Sequence, residues 1–169
     1  MTPRHPVRAS KDPKVQGRLP ARADGSWTEA LTKLSPNEAE ALVAVVRTLF
    51  PHDWLSEVPY RTVVLVLDHN TTADNGVLDL LKHGLASLDK VFSIPFRNLS
   101  AGNRVICLRS CEKEPFFAYL LQQSLRAFYD DPIVWAGCGY EGVFGTSETQ
   151  MRVGYNDLTW LPEPIGDRD

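Results

Sequence analysis

Apolar residues recur at helical spacing along much of the chain, and the first such run follows a strong helix start. In Ser35-Pro36-Asn37-Glu38, the serine can cap, the proline suits the first helical position and the glutamate can complete a capping box. The apolar positions behind this start share one face, and Pro51 ends the run: Ala39, Leu42, Val43, Val46, Leu49 and Phe50. The pattern predicts a first amphipathic helix.

The segment from Pro59 to His69 fits two interpretations. Its apolar residues Tyr60, Val63, Val64 and Leu67 share one helical face, whereas the valine-rich run from Val63 to Leu67 also suits a buried strand. No second convincing strand exists to pair with it, so we predict a helix.

Four further helix starts follow. A helix beginning near Asp74 and ending before Pro95 turns four leucines inward: Leu78, Leu81, Leu85 and Leu88. Ser100 can cap a fourth helix through Val105 and Leu108, and Asp131-Pro132 begins a short turn through Trp135. Pro115 begins a fifth helix, with a predicted core stripe of Phe117, Leu120, Leu121, Leu125 and Phe128.

The order of these elements predicts an all-α fold, a single helical bundle of five or six helices with an irregular aromatic C-terminal segment from about residue 137. Residues 1–26 are rich in proline and basic side chains and hold almost nothing apolar, which indicates a flexible N-terminal arm. The arm either has no role or docks on an acidic partner. The helical domain then spans residues 27–169.

Composition narrows the class of protein. A chain of 169 residues suits one domain, and a net charge of -3 gives no long-range attraction for nucleic acid. No apolar run approaches the roughly 18 residues of a membrane span, so no membrane insertion is expected. The three cysteines Cys107, Cys111 and Cys138 are odd in number, which favours reduced thiols.

The candidate chemistry is sparse. No glycine-rich phosphate loop occurs, and Gly137-Cys138-Gly139 is interpreted as a bend. Cys107 and Cys111 have i, i+4 spacing, which suits either core packing or a metal or redox pair. The histidines are scattered at positions 5, 52, 69 and 83, and the pairs Asp68-His69 and His52-Asp53 favour surface or capping roles. We therefore assign no catalytic, cofactor-binding or metal-binding residue to this chain.

Aromatic residues concentrate late in the sequence. Ten of the sixteen fall between Phe116 and Trp160, which is more large apolar surface than loops could easily cover. Such rings either close the core of the bundle or form the centre of a permanent interface.

Several motifs, in order, resemble subunit 3 of gluconate 2-dehydrogenase and its relatives, the small partners of flavin-dependent glucose-methanol-choline oxidoreductases. The matching pieces are Leu34-Ser35-Pro36-Asn37-Glu38-Ala39, Leu49-Phe50-Pro51-His52-Asp53, Gly84–Asp89, Pro115-Phe116-Phe117, Phe128–Trp135, Gly139-Tyr140-Glu141-Gly142 and Gly154–Pro162. They cover residues 34 to about 165. No single piece is diagnostic, and the resemblance rests on the ordered series.

The resemblance implies a non-catalytic subunit that binds and stabilises a large FAD-dependent sugar or alcohol dehydrogenase and supports its assembly. In such complexes FAD and the substrate chemistry belong to the large subunit, and electrons can leave through a cytochrome subunit. We expect six aromatic residues to contact the large subunit: Phe128, Tyr129, Trp135, Tyr140, Tyr155 and Trp160.

One departure concerns export. Many relatives carry a twin-arginine signal, whereas the basic arm here has no adjacent arginine pair and no apolar stretch. This favours a cytoplasmic complex, or a periplasmic one carried by a partner's signal.

Two alternatives stay open. The chain could be a stand-alone metal- or thiol-dependent enzyme that uses residues among His52, His69, His83, Asp68, Cys107 and Cys111. It could also be an interaction protein that has kept the family fold and changed its partner.

Overall fold

The part of the chain that the computed structural model describes, residues 25–139, is all-α, as the sequence predicts. Two 3₁₀ helices, Gly25–Ala30 and Phe96–Asn98, accompany six α-helices: α1 Pro36–Leu49, α2 Val58–Ala73, α3 Asn75–Phe92, α4 Ala101–Ser110, α5 Pro115–Tyr129 and α6 Pro132–Cys138. No strand occurs within these residues. None of these helices has the length and apolarity needed to cross a bilayer.

The predicted helix starts are confirmed by their caps. The Ser35 hydroxyl accepts from the Glu38 N–H at 3.3 Å while the Glu38 carboxylate accepts from the Ser35 N–H at 2.8 Å, which makes a complete capping box. Ser100 caps α4, and the Asp131 carboxylate caps α6 through the Ile133 N–H at 2.8 Å. Local chemistry therefore sets these boundaries.

Helix α2 is the centre of the bundle and settles the choice between helix and strand. It contacts α1, α3 and α5. The four apolar residues predicted to share a face are all fully buried: Tyr60, Val63, Val64 and Leu67. Burying a side chain of this size contributes about 1.5–3 kcal/mol, so tertiary packing outweighs the strand preference of the valines.

Helix α5 is rotated relative to its predicted core stripe. Leu120 and Phe128 are buried as expected, but Leu121 and Leu125 are 37% and 48% exposed, so their assignment to the core is wrong. Small residues take the inner positions: Ser124 is fully buried and Ala127 nearly so. Helix α5 packs on α2, where the Phe128 ring lies 5.0 Å from the Tyr60 ring, and short side chains at the buried positions of a helix let a neighbouring helix approach closely.

A buried carboxylate joins the start of the folded region to α2. Of the surface or capping roles expected for Asp68, the surface role is wrong because the residue is only 2% exposed, whereas its hydrogen bonds to backbone N–H groups agree with a capping role. Its two oxygens accept four hydrogen bonds at 2.7–3.0 Å, from the N–H and hydroxyl of Thr32 and the N–H groups of Lys33 and Leu34. We call this arrangement the Asp68 clamp.

Burial alone would raise the pKa of the Asp68 carboxyl. The hydrogen bonds from Leu34, Thr32 and Lys33 stabilise the ionised form more strongly, so its pKa lies below the usual value.

The predicted boundary of the N-terminal arm needs a small correction. The arm was expected to extend to residue 26, whereas the 3₁₀ helix already begins at Gly25 and buries Trp27 in the core. The Arg61 guanidinium lies 5.7 Å from the centre of that indole ring, which adds a cation–π contact. A large aromatic side chain therefore anchors the first described turn.

Candidate functional site

A cluster of aromatic rings forms where α1 ends, α2 begins and α5 ends. The rings of Phe50 and Phe128 stack with centroids 5.1 Å apart, and Tyr60 lies 5.0 Å from Phe128. The Tyr60 hydroxyl donates to the Phe50 carbonyl at 2.8 Å. This inner layer is buried and fixes the geometry of the rings outside it.

The outer layer of the cluster is exposed or half-buried, and together with the exposed Ile133 of α6 we call it the aromatic corner: His52, Trp54, Tyr129, Ile133 and Trp135. The His52 ring lies 5.3 Å from the Trp54 ring, and its Nε2 is 3.2 Å from the Tyr129 hydroxyl. The Trp135 indole N–H donates to the Tyr129 carbonyl, which ties α6 to the end of α5. Large aromatic side chains at the surface therefore contact one another and the helix ends beneath them.

The predicted interface residues fall into three groups. Tyr129 is exposed and Trp135 half-buried, so both can meet a partner. Phe128 is fully buried against Phe50 and belongs to the core, so its prediction as a contact residue is corrected. Three further predicted residues lie outside the described residues: Tyr140, Tyr155 and Trp160.

Two members of the corner were missed by sequence reasoning. Trp54 is 54% exposed in the turn between α1 and α2, and Ile133 is exposed on α6. The signal for Trp54 was its position among polar residues just after Pro51, where a bundle has no core face to receive an indole.

Trp54 also lies against Gly137 of α6. A Cβ atom at position 137 would come within 1.9 Å of the Trp54 ring, so any residue other than glycine there would require the indole to move from this position.

The i, i+4 cysteine pair lies in the core. Cys107 and Cys111 are buried, and their thiols face the carbonyls of Leu88 and Leu108 at 3.9 and 3.2 Å. Burial raises the pKa of both thiols, and nearby acidic groups raise them further. Both are therefore protonated at neutral pH and are weak nucleophiles.

A cavity of about 400 Å³ between α3 and α5 brings together residues that the sequence did not connect. His83, Cys111 and Glu114 all line it, beside Phe116 and Leu88. His83 is held by its own helix, with Nδ1 2.8 Å from the Asp79 carbonyl. The protonated Cys111 thiol donates to a backbone carbonyl, so the lining shows no activated nucleophile.

The remaining candidate ligands are dispersed. Within residues 25–139 no three His, Cys, Asp or Glu side chains converge in a way that could hold a metal ion. His69 is exposed on α2, while His52 belongs to the aromatic corner. His5 lies outside the described residues.

The three cysteines should differ in how fast they react with a thiol reagent in the folded protein. Ellman's reagent is expected to titrate only Cys138 rapidly in the folded protein, because Cys138 is exposed while the other two are buried and protonated. All three should react in denaturant. The Cys138→Ser variant provides the control, and a fast phase that survives in it would contradict the assignment of Cys107 and Cys111 to the core.

Comparison with known proteins gives no relative: no family model, no curated protein and no solved structure matches the chain. The fold and the exposed side chains by themselves define this protein as a helical bundle with an exposed aromatic corner.

Proposed function

We propose that this chain is a non-catalytic small subunit that binds and stabilises a large FAD-dependent dehydrogenase of the glucose-methanol-choline type and supports its assembly. The observation that carries the proposal is the aromatic corner, where Trp54 is 54% exposed beside His52, whose ring lies within hydrogen-bond distance of the Tyr129 hydroxyl. Tryptophan and tyrosine are the residues most enriched at the centres of protein interfaces. The choice of partner rests on the ordered motifs that resemble the gluconate 2-dehydrogenase small subunit.

The corner suits a permanent partner better than a small ligand. Its side chains come from α5, α6 and the turn after α1, and Trp54, Tyr129 and Ile133 are exposed, whereas a small-molecule site buries most of its ligand in a concave pocket. An isolated exposed apolar residue needs no explanation. Trp54 and Tyr129, however, are both exposed, and their rings both lie near the His52 ring. Exposing such apolar side chains to water is unfavourable in free energy, and a partner that buries them would remove this unfavourable contribution.

Co-expression with a glucose-methanol-choline dehydrogenase from the same genome tests the proposal. The two chains should copurify as a complex with flavin absorbance, and Trp54→Ser should weaken it by on the order of tenfold or more in Kd, as expected for an interfacial tryptophan. Binding is measured by titrating the purified small subunit, or its variants, into the large one.

The matched control is Ile106→Ser. Ile106 on α4 has the same exposed fraction as Trp54, 54%, but lies outside the aromatic corner, so its loss should leave Kd unchanged. Failure of the wild-type chains to copurify would count against the proposed partner. Equal losses for the two variants would count against the corner as the contact surface.

A further inference from the structure

The cavity of about 400 Å³ forms a crevice between α3 and the turn that joins α4 to α5. Its volume falls in the range of pockets that hold small organic molecules, roughly 300–1,000 Å³. Buried side chains form its floor, among them Leu88 and Phe116. Because Gly84 has no side chain, the Phe116 ring packs directly against α3. The floor is therefore largely apolar and can receive an apolar group.

The rim of the crevice is polar, and most of its donors are already used. The His83 Nδ1 lies 2.8 Å from the Asp79 carbonyl. Because a carbonyl only accepts, this nitrogen carries the proton, and Nε2 of the neutral ring is left as an acceptor. The Ser110 hydroxyl and the Cys111 thiol donate to backbone carbonyls of α4 at 2.7 and 3.2 Å. These three side chains therefore offer a ligand acceptors, and Ser87 can donate or accept.

Glu114 gives the crevice a negative charge. Among the described residues that line it, no lysine or arginine offsets this carboxylate, which is exposed and has no hydrogen bond or ion pair with another described residue. Burial is the main cause of the raised pKa of the Cys111 thiol, and the Glu114 charge raises it further, so the negative potential reaches the floor. Of the neighbouring lysines in sequence, Lys82 pairs with Glu38 at 3.5 Å and Lys113 does not line the crevice.

An apolar floor with acceptors and a carboxylate at its rim suits one class of ligand. We propose that the crevice binds a small organic ammonium ion, a primary amine that carries an aromatic or alkyl group. The apolar group lies on Leu88 and Phe116, and the ammonium donates to the Glu114 carboxylate and to the acceptors beside it. An ammonium has three N–H donors and no acceptor, which matches the groups that the rim leaves unused. A carboxylate ligand is disfavoured, because it is repelled by Glu114 and finds few donors.

This site is separate from the aromatic corner. Helix α5 has 15 residues, and Glu114 precedes it while Tyr129 is its last residue. At 1.5 Å per residue, about 22 Å separate the two ends. The proposal concerns the isolated chain, so it stands or falls independently of the dehydrogenase partner.

Titration of the isotope-labelled full-length chain, without any partner, tests the proposal by two-dimensional NMR. The probes are phenethylamine, phenethyl alcohol and hydrocinnamate, which share a phenyl group and differ in the polar group. The amine should bind saturably and shift the amide resonances of Ser87, Ser110 and Glu114. Its Kd should be lower than that of the alcohol or the carboxylate by about tenfold or more, because a charge-assisted hydrogen bond is stronger than a neutral one.

Two variants locate the site, and a third is the control. Glu114→Gln should raise the Kd of the amine about tenfold, because it removes the charge and keeps the size of the side chain. Ser87→Phe keeps the charge but places a ring in the crevice, and it should abolish binding of the amine. Glu112→Gln is the same change at an exposed glutamate outside the crevice and should leave Kd unchanged.

All three substituted residues are exposed, so the bundle should stay folded, which the NMR spectrum of each variant checks directly. Equal affinity for the amine and the carboxylate would overturn the proposal. So would equal effects of the two glutamine variants, or amine binding that survives Ser87→Phe, since the latter would reflect attraction to the carboxylate alone.

Discussion

Replacing Asp68 with alanine is expected to lower the free energy of unfolding by about 2–4 kcal/mol. The substitution removes the acceptor of four hydrogen bonds and leaves the N–H groups of Thr32, Lys33 and Leu34 without their partner, the first two in a part-buried place and that of Leu34 in a buried one. An unsatisfied buried donor costs about 1–3 kcal/mol, and the losses overlap because the three groups share one carboxylate. The effect is large for a domain of ordinary stability.

Urea unfolding followed by circular dichroism measures this loss. Asp79→Ala, a substitution of an exposed aspartate whose carboxylate makes no hydrogen bond or ion pair in the described structure, is the control and should change stability by less than about 0.5 kcal/mol. Asp68→Asn should fall between the two, because an amide keeps one acceptor oxygen and turns a donor toward the other N–H groups. Equal stabilities for Asp68→Ala and Asp79→Ala would show that the clamp does not stabilise the fold.

The contribution of Asp68 should also depend on pH in a definite direction. Its pKa is lower in the folded state than in the unfolded chain, so the stabilisation is fully present above the unfolded value of about 3.9. It is lost as pH falls through the folded pKa. The stability difference between the wild-type protein and Asp68→Asn should therefore be constant near neutral pH and narrow below about pH 4.

The second large effect is expected at Gly84, where α3 meets α5. A Cβ atom there would lie 2.1 Å from the Phe116 ring, and Phe116 is itself buried. Gly84→Ala should lower the free energy of unfolding by about 1–3 kcal/mol, because this overlap outweighs the helix-propensity gain of up to about 1 kcal/mol. The melting temperature, measured by circular dichroism, should fall accordingly.

Gly102→Ala provides the matched control. Gly102 lies in α4 with no atom within 4 Å of its would-be Cβ, so alanine should be neutral or stabilising there. Combining Gly84→Ala with Phe116→Leu should cost less than the sum of the two single changes, since the smaller side chain makes room. Additive losses would mean that the clash is not the cause.

Local signals predicted the helices well because the determinants lie within a few residues. The Ser35 capping box and the Asp131-Pro132 start depend on side chains that contact their own first turn, so spacing alone reveals them. The sequence also predicted α2 as a helix despite its valines, because apolar residues such as Tyr60 and Leu67 share one helical face, and both are buried.

The predictions failed where the environment of a residue is set by a part of the chain that is distant in sequence. Nothing within α5 shows that Ser124, and not Leu125, faces the core, because that choice depends on how closely α5 approaches α2. The role of Asp68 likewise depends on backbone groups more than thirty residues earlier, at Thr32 and Leu34. The aromatic corner was only partly predicted for the same reason, since Trp54 joins it through Gly137.

The contact between Trp54 and Gly137 offers a way to recognise related chains that overall comparison does not detect. The indole occupies the space that any side chain at position 137 would need. Two positions more than eighty residues apart are thus under one steric constraint, and an alignment of true relatives should show them changing together. A chain with a bulkier residue at 137 and a small one at 54 would carry the same fold with a different corner.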